Sequence, residues 1–309
     1  MERKFIVTVD TEGDNLWAWH EGQPIATNNT RYIARFQELC EQYGFKPTYL
    51  TNYEMAMDDE WVSYAKPKAK AGLCEIGMHI HAWNSPPDYP LDNKFGGNSY
   101  ITEYPEQMLR EKVSYIVELL REKFEAPITS SRSGRWATDE TYFQALVVAG
   151  IKIDCSVTPG IDLSDIPGCS RNCGNNYATY ENKVAEIYPG LLEIPLTTRK
   201  VHWAADGSLK HKIKSLLLGE DMWLRSCKKS LRYLYTITEK IEQDGSDYLE
   251  FMLHSSELMP GGSPYFTNEK EVEQLYELLT VYFDHLKNSN YIGVTLSEYA
   301  EMIRSNIAR

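Results

Sequence analysis

Short apolar runs alternate with longer stretches of helical periodicity along most of this 309-residue chain. The runs lie at residues 5–9, 47–50, 74–78, 128–131, 151–155, 191–194, 249–253 and 292–294. Their length is typical of buried strands, and the periodic stretches between them are typical of amphipathic helices. Such alternation predicts an α/β fold with a mainly parallel sheet, which is either doubly wound or closed into a barrel. The number of strands favours the barrel.

Glycines mark the ends of two of the predicted helices. Gly44 follows residues 30–43 and Gly150 follows residues 139–149, and glycine readily takes the left-handed conformation that ends a helix. Because one α/β barrel commonly has this length, we expect a single domain that spans residues 1–309.

Three stretches interrupt the alternation. Two are loops at residues 84–104 and 158–182, and long loops on a barrel usually build the binding face. The third, at about 206–244, is predicted to be a helical insertion with a locally basic surface. It could bind an anionic part of the substrate or make peripheral contact with a membrane. Alternatively, its apolar face packs on the barrel and its charges are merely solvated.

Composition and charge disfavour several classes of protein. The formal net charge of −12 repels phosphate backbones, so no nucleic-acid partner is expected. No apolar window approaches the length of a transmembrane helix, so no membrane span is expected. The chain begins without a secretory signal pattern and its six cysteines are dispersed, so we expect a cytoplasmic location. The close pair Cys169 and Cys173 is interpreted as two thiols in a loop.

Polar side chains gather at or just beyond the carboxyl ends of five predicted strands. Barrel enzymes place their catalytic groups at this face. Any one such residue could be a structural group, but their joint placement indicates one pocket. The residues are Asp10, Glu12, His79, His81, Arg132, Asp154 and His254.

His79 and His81 are two residues apart, so their side chains point the same way if the chain stays extended. With Glu12 they form a set of two imidazoles and one carboxylate, which leaves an open coordination position, as a catalytic zinc site requires. The residues therefore predict a site for one divalent metal, with zinc as the expected ion. Asp14 is the reserve ligand.

The remaining strand-end residues suit acid–base chemistry. Asp10 is the candidate general base, and Arg132 could hold it ionised through a charge-assisted pair, with Arg135 as the competitor for that task. His254 is the candidate general acid, because imidazole titrates near neutrality, and Asp154 could tune it.

These segments, in this order, resemble the polysaccharide deacetylase (NodB-like, carbohydrate esterase family 4) superfamily, over about residues 4 to 300. Residues 8–13 resemble its base and metal motif, 75–81 its metal-histidine motif and 132–136 its arginine motif. Residues 154–159 are similar to its aspartate strand, and 253–254 to its terminal Leu-x-His motif. The resemblance implies a distorted (β/α) barrel and metal-dependent N-deacetylation, with Arg135, Trp136 and Trp83 as substrate-binding candidates.

The sequence departs from the family pattern at three places. The usual adjacent aspartates are Asp10 and Glu12, separated by one residue. The usual second histidine position holds Trp83, so His79 and His81 form a shorter motif. The arginine motif has Gly134 in place of proline, which we interpret as room for the substrate.

The resemblance is strongest to members linked to surface-polysaccharide biosynthesis. It implies an amino-sugar substrate carried on a nucleotide, a lipid or a polymer, from which an N-acyl group, N-acetyl in the first instance, is removed. Two other classes remain open. A non-haem Fe(II) oxygenase also uses two histidines and one carboxylate, and a carbohydrate-binding barrel could keep the fold without turnover.

Overall fold

The computed structural model describes residues 2–20, 22–170, 174–202 and 206–307. All of the predicted strands are present, and three further strands accompany them. The strands are β1 (Arg3–Thr11), β2 (Pro47–Thr51), β3 (Glu75–Ile80), β4 (Ser130–Ser133), β5 (Ile153–Asp154), β6 (Ala185–Tyr188), β7 (Leu191–Glu193), β8 (Thr198–Val201), β9 (Glu220–Trp223), β10 (Tyr248–His254) and β11 (Tyr291–Val294).

Helices lie between most of the parallel strands. They are α1 (Thr30–Tyr43), α2 (Tyr53–Ala56), α3 (Asp59–Lys70), α4 (Glu106–Phe124), α5 (Glu140–Val148), α6 (Leu209–Leu218), α7 (Leu231–Gln243), α8 (Glu269–Asn288) and α9 (Leu296–Ile307). Helix α1 has the predicted bounds and ends at Gly44, whose φ of 71° lies in the left-handed region.

The main sheet is curled and has the strand order β10-β1-β2-β3-β4-β5-β7-β6, with β11 also paired to β1. Its pairings are parallel, apart from β6 against β7. Thr197 and Leu224, which lie outside the strands, link β10 toward the other side of the sheet. The Glu250 amide donates to Thr197 Oγ1 at 2.8 Å, and the Met252 amide donates to the Leu224 carbonyl at 3.1 Å. The predicted distorted (β/α) barrel is confirmed.

Side chains of β1 alternate between two environments, as the two-residue period of a strand requires. Phe5, Val7 and Val9 belong to the large core that also contains residues of the outer helices. Ile6 belongs instead to a second cluster inside the barrel, with Val294 of β11 among its members. Beyond Ile6 the same inward face continues with polar groups, so the interior changes from an apolar plug to a polar site toward the carboxyl ends.

The segment at 206–244 is not helical throughout, contrary to expectation. Helix α6 ends at Gly219, and the chain then forms β9, which pairs antiparallel with β8 in a separate two-stranded sheet. Helix α7 packs on the barrel through Leu234, Ile237 and Ile241, which are buried. For α7, therefore, the structure agrees with the alternative in which the apolar face of the insertion packs on the barrel. Packing rather than local periodicity decides that residues 220–223 form a strand.

Among the described residues, no helix combines the length and the apolar character needed to cross a bilayer. Cys169 is a buried free thiol. Cys173, its neighbour in the sequence, lies outside the described residues.

Candidate metal-dependent active site

Glu12, His79 and His81 converge at the carboxyl ends of β1 and β3. Glu12 Oε2 lies 2.8 Å from His81 Nε2 and 3.4 Å from His79 Nε2, and the two Nε2 atoms are 3.1 Å apart. All three side chains are buried. The chain stays extended through this end of β3, so the two imidazoles face the same way, as the sequence predicted.

The hydrogen bonding of His79 leaves its Nε2 free to bind a cation. His79 Nδ1 lies 3.0 Å from the Arg132 carbonyl oxygen, which can only accept, so Nδ1 carries the hydrogen and Nε2 keeps its lone pair. Metal-binding histidines commonly donate their second N–H to a carbonyl or carboxylate in this way. The backbone of β4 thus fixes the tautomer of His79.

These three groups fit a divalent metal. Ligand atoms about 2.0 to 2.1 Å from a tetrahedral zinc lie roughly 3.3 Å from one another, close to the separations found here. Burial raises the pKa of Glu12, but the nearby imidazoles of His79, His81 and His254 outweigh it, so the net pKa is lowered. Burial lowers the pKa of His81, whereas Asp10 and Glu12 overcome burial and raise that of His79. The low pKa of Glu12 keeps this ligand candidate ionised, which is the form that binds a cation.

Gly134 makes room for the His81 ring. A Cβ atom at this position would lie 2.5 Å from His81 Nδ1 and 2.7 Å from the Ile80 carbonyl oxygen. The missing side chain thus gives space to a metal-ligand candidate, and the easier approach of the Gly134 backbone to a substrate stays a prediction.

Asp10 is held by a buried arginine. Arg132 Nη1 donates to Asp10 Oδ1 at 2.6 Å, and the fully buried guanidinium also binds Thr8 Oγ1 and Glu250 Oε1. Burial raises the pKa of Asp10, but Arg132 and the nearby imidazoles outweigh it, so the net pKa is lowered. The structure thus gives Arg132, and not Arg135, the contact with Asp10.

His254 faces the same site from β10. Its Nε2 lies 3.8 Å from Asp10 Oδ2 and 4.0 Å from Glu12 Oε1. Its Nδ1 lies 2.9 Å from Glu257 Oε1, the oxygen to which Arg225 Nη2 also donates at 2.9 Å. Because Glu257 is an acceptor when ionised, Nδ1 carries the hydrogen and Nε2 points into the site.

Asp154 is not placed as expected. Its carboxylate accepts from Ser131 Oγ at 2.7 Å and from the Ser156 amide at 3.2 Å, and it lies beside Glu193 on β7. Among the described residues, the carboxylate that contacts His254 is Glu257. The difference follows from strand order, since β5 and β10 are separated by four strands along the sheet.

Asp14, the reserve ligand, also lies elsewhere. Its two oxygens accept from the backbone amides and the side-chain amides of Asn28 and Asn29, at distances of 2.7 to 3.0 Å. The carboxylate therefore ties the loop after β1 to the start of α1. Within the described residues, the cluster suited to a metal consists of Glu12, His79 and His81.

A cavity of about 290 Å³ opens onto these groups. The substrate-binding candidates Trp83, Arg135 and Trp136 line it, and both long loops contribute to its wall. Arg135 Nη2 donates to the Pro167 carbonyl at 2.8 Å, and its guanidinium lies 3.8 Å from the centroid of the Tyr100 ring. Other lining residues are Asp10, Glu12, Leu16, Trp17, His79, His81, Asn98, Tyr100, Leu163, Ile166 and His254.

Two acidic residues of the site were missed by the sequence analysis. Glu250 lies four residues before His254 on the same face of β10, and it was visible as a carboxylate inside an otherwise apolar strand. Glu257 follows His254 by three residues in a short helical turn. Its role could not be read from spacing alone, because the turn conformation decides whether the two side chains meet.

Comparison with known proteins supports the fold. Neither a family model nor a curated protein matches the sequence. A structure from Mycobacterium smegmatis, described as that of a polysaccharide deacetylase, has a TM-score of 0.59 at 12% identity, over 99% of this chain and 92% of that chain.

A 4-alpha-glucanotransferase from Thermococcus litoralis has a TM-score of 0.51 at 12% identity, over 97% of this chain but 38% of its own. One fold can therefore support different reactions, and the chemistry has to be argued from the site. At the level of the fold, the resemblance expected from the sequence is confirmed: the chain is a distorted (β/α) barrel similar to that of the structure described as a polysaccharide deacetylase.

Proposed function

We propose that this protein is a metal-dependent hydrolase that removes an N-acyl group, N-acetyl in the first instance, from an amino sugar. The observation that carries this proposal is the arrangement around one cavity. A potential metal-binding triad, a carboxylate held by a buried arginine and an imidazole with its Nε2 turned inward all border the same space. Metal-dependent amide hydrolysis can use all three kinds of group, as the source of an activated water, the base and the acid.

Glu12, His79 and His81 would hold the metal. When bound, a divalent ion such as zinc polarises an acyl carbonyl and lowers the pKa of a water molecule to roughly 7. The chain prepares this site through the His79 hydrogen bond to the Arg132 carbonyl and through the space left by Gly134.

Asp10 is the proposed base. Arg132 occupies its Oδ1, so Oδ2, the oxygen nearer to His254, remains to take a proton from the attacking water. The water oxygen then bonds to the acyl carbon. The low pKa of Asp10 keeps the carboxylate ionised and ready to accept at neutral pH.

His254 is the proposed acid. The imidazole acts in its doubly protonated form: as the carbon–nitrogen bond breaks, Nε2 delivers its proton to the departing nitrogen while Nδ1 keeps its own toward Glu257, and the products are a carboxylate and a free amino sugar. Glu257 keeps the imidazole in the orientation that points Nε2 at the cavity. Asp10 and His254 thus act from neighbouring strands β1 and β10, whose register pairs these two residues directly.

The cavity wall suits a sugar ring. Trp17, Trp83 and Trp136 offer aromatic faces, and Asn98 and Arg135 offer polar groups at the rim. We propose that an amino sugar, carried on a nucleotide, a lipid or a polymer in surface-polysaccharide biosynthesis, binds here. The polysaccharide deacetylase described from Mycobacterium smegmatis supports this class of reaction.

The test is an assay of the metal-loaded protein on a panel of N-acetylated and N-formylated amino sugars, free and linked to nucleotide or lipid. We expect equimolar release of carboxylate and primary amine from at least one of them. The Asp10→Asn variant should retain metal and lose roughly 10² to 10⁴ in rate. Oxygen consumption without amine release would instead support the oxygenase alternative, and sugar binding without turnover would support the non-catalytic barrel.

A further inference from the structure

Helix α6 exposes its apolar side chains to solvent. Each of its five large aliphatic residues is more than half exposed, and Leu209 and Leu217 reach 76% and 73%. By contrast, Ser215 is buried and Lys212 is partly buried. The exposed aliphatic residues are Leu209, Ile213, Leu216, Leu217 and Leu218.

The outward apolar face of α6 is continuous. Leu209, Ile213, Leu216 and Leu217 follow the spacing i, i+4, i+7 and i+8, which places them on one stripe of a helix. In an ordinary surface helix this stripe faces the core, as it does in α7 of the same protein. Contiguous exposed apolar patches mark interaction sites, so α6 needs a partner.

The polar residues of α6 carry positive charge. Lys210, Lys212 and Lys214 lie in the first half of the helix, and the helix contains no acidic residue. Within the part of the chain that the structure describes, none of these three ammonium groups forms an ion pair. The surface is thus both apolar and basic, although the whole chain has a net charge of −12.

We propose that α6 binds the surface of an anionic lipid bilayer. Its leucines would enter the boundary between headgroups and acyl chains, and its lysines would contact the headgroup phosphates. Interfacial helices combine these same features, namely an apolar stripe and a lysine-rich polar face. A second copy of this acidic chain suits the surface less well, because two bodies of the same net charge repel each other.

Helix α6 is connected to the rim of the cavity through β9. Trp223 of β9 packs against Trp136 of the cavity wall, with ring centroids 5.2 Å apart. Two residues later, Arg225 contacts both His254 and Glu257. The chain thus runs from α6 directly to residues beside the cavity, and the proposed lipid contact does not depend on the reaction.

The experiment is sedimentation of the full chain with vesicles of phosphatidylcholine, with and without phosphatidylglycerol. We expect the protein to sediment with the vesicles that contain phosphatidylglycerol, and to be released by salt. A Leu216→Gln, Leu217→Gln double variant should bind at least about tenfold more weakly, because two apolar side chains no longer leave water. Lys210→Gln with Lys214→Gln should reduce the preference for phosphatidylglycerol.

Val148→Gln is the matched control, because Val148 is 68% exposed but lies on α5. It should bind vesicles as the wild type does, and circular dichroism should show all variants folded. Failure of the wild type to bind phosphatidylglycerol vesicles would overturn the proposal, as would unchanged binding by the leucine variant. A dimer in light scattering that the leucine variant abolishes, without vesicle binding, would assign the surface to self-association instead.

Discussion

Arg132 contacts His79 and Asp10 through two different parts of the same residue. Its carbonyl oxygen accepts from His79 Nδ1 at 3.0 Å, and its guanidinium donates to Asp10 at 2.6 Å. The metal-ligand candidate and the candidate base are therefore positioned by one residue of β4. A change of the side chain affects Asp10 directly, whereas the hydrogen bond to His79 depends only on the backbone.

Loss of the Arg132 side chain should lower the stability of the folded protein. In Arg132→Met, Asp10 and Glu250 lose their buried cation, and breaking a buried ion pair from one side costs about 3 to 5 kcal/mol. We expect a large fall in Tm, measured by calorimetry. Arg31→Met, which removes an exposed arginine 3.5 Å from Glu60, is the control and should change Tm little. Equal Tm values for the two variants would contradict the buried network.

Replacing the triad should remove the metal. In the His79→Ala, His81→Ala double variant two of three ligands are lost, so we expect metal content near background by elemental analysis after equilibration with zinc. Asp14→Asn is the matched control, because Asp14 binds Asn28 and Asn29 and should leave metal content unchanged. If the double variant keeps as much metal as the wild type, the ligand assignment is wrong.

Gly134→Ala should weaken metal binding. The added Cβ would lie 2.5 Å from His81 Nδ1, so the ring must leave the position in which its Nε2 lies 2.8 Å from Glu12. Because small displacements of ligands and their supports commonly cost 10-fold to 100-fold in affinity, we expect a loss of about that size in a zinc titration. Gly97→Ala adds a Cβ that meets the Pro167 backbone instead, so it should cost stability but not zinc affinity.

Glu257→Gln should lower turnover more than substrate affinity. Glu257 positions His254 without lining the cavity, so the variant should lose about 10-fold to 100-fold in kcat while KM stays near the wild-type value. Glu257→Asp, which keeps the charge but shortens the reach, should recover part of the rate. A change confined to KM would contradict a positioning role.

Glu250 should make stability depend on pH. Burial raises its pKa to about 7, despite Arg132, so the folded state holds a proton that the unfolded state releases at lower pH. The stabilisation is present below the unfolded pKa of about 4.5 and is lost as pH rises through about 7. In Glu250→Gln the slope measured by urea unfolding should become shallower by the share of Glu250, at most about 1.4 kcal/mol per pH unit, whereas Glu269→Gln on the surface should leave it unchanged.

Sequence patterns were sufficient to predict the barrel and much of the site, because both depend on local rules. Strand periodicity places Asp10 and His254 at strand ends, and parallel strands bring those ends to one face. The contact between His254 and Glu257 depends on a turn, and the contact between Arg132 and Glu250 depends on register across the barrel. Neither can be deduced from one strand alone.

Helix α6 illustrates a second limit. Its periodicity predicts an amphipathic helix, but periodicity does not say which side of the helix faces the protein. The burial of Ser215 and the exposure of Leu217 supply that information. The sequence likewise indicated a helical insertion without the strand β9, since pairing of β9 with β8 is a tertiary contact between distant residues.

The inward face of β1 has a consequence for how this protein tolerates change. Ile6, Thr8, Asp10 and Glu12 follow one another at steps of two residues, from the apolar plug to the metal-ligand candidate. Deleting a single residue early in β1 would shift the strand by one position. The side chains on one side of the deletion would then point toward the outer helices and no longer into the barrel. Sequences that evolve from this one can therefore exchange residues along β1, but insertions and deletions should be confined to the loops on either side of it.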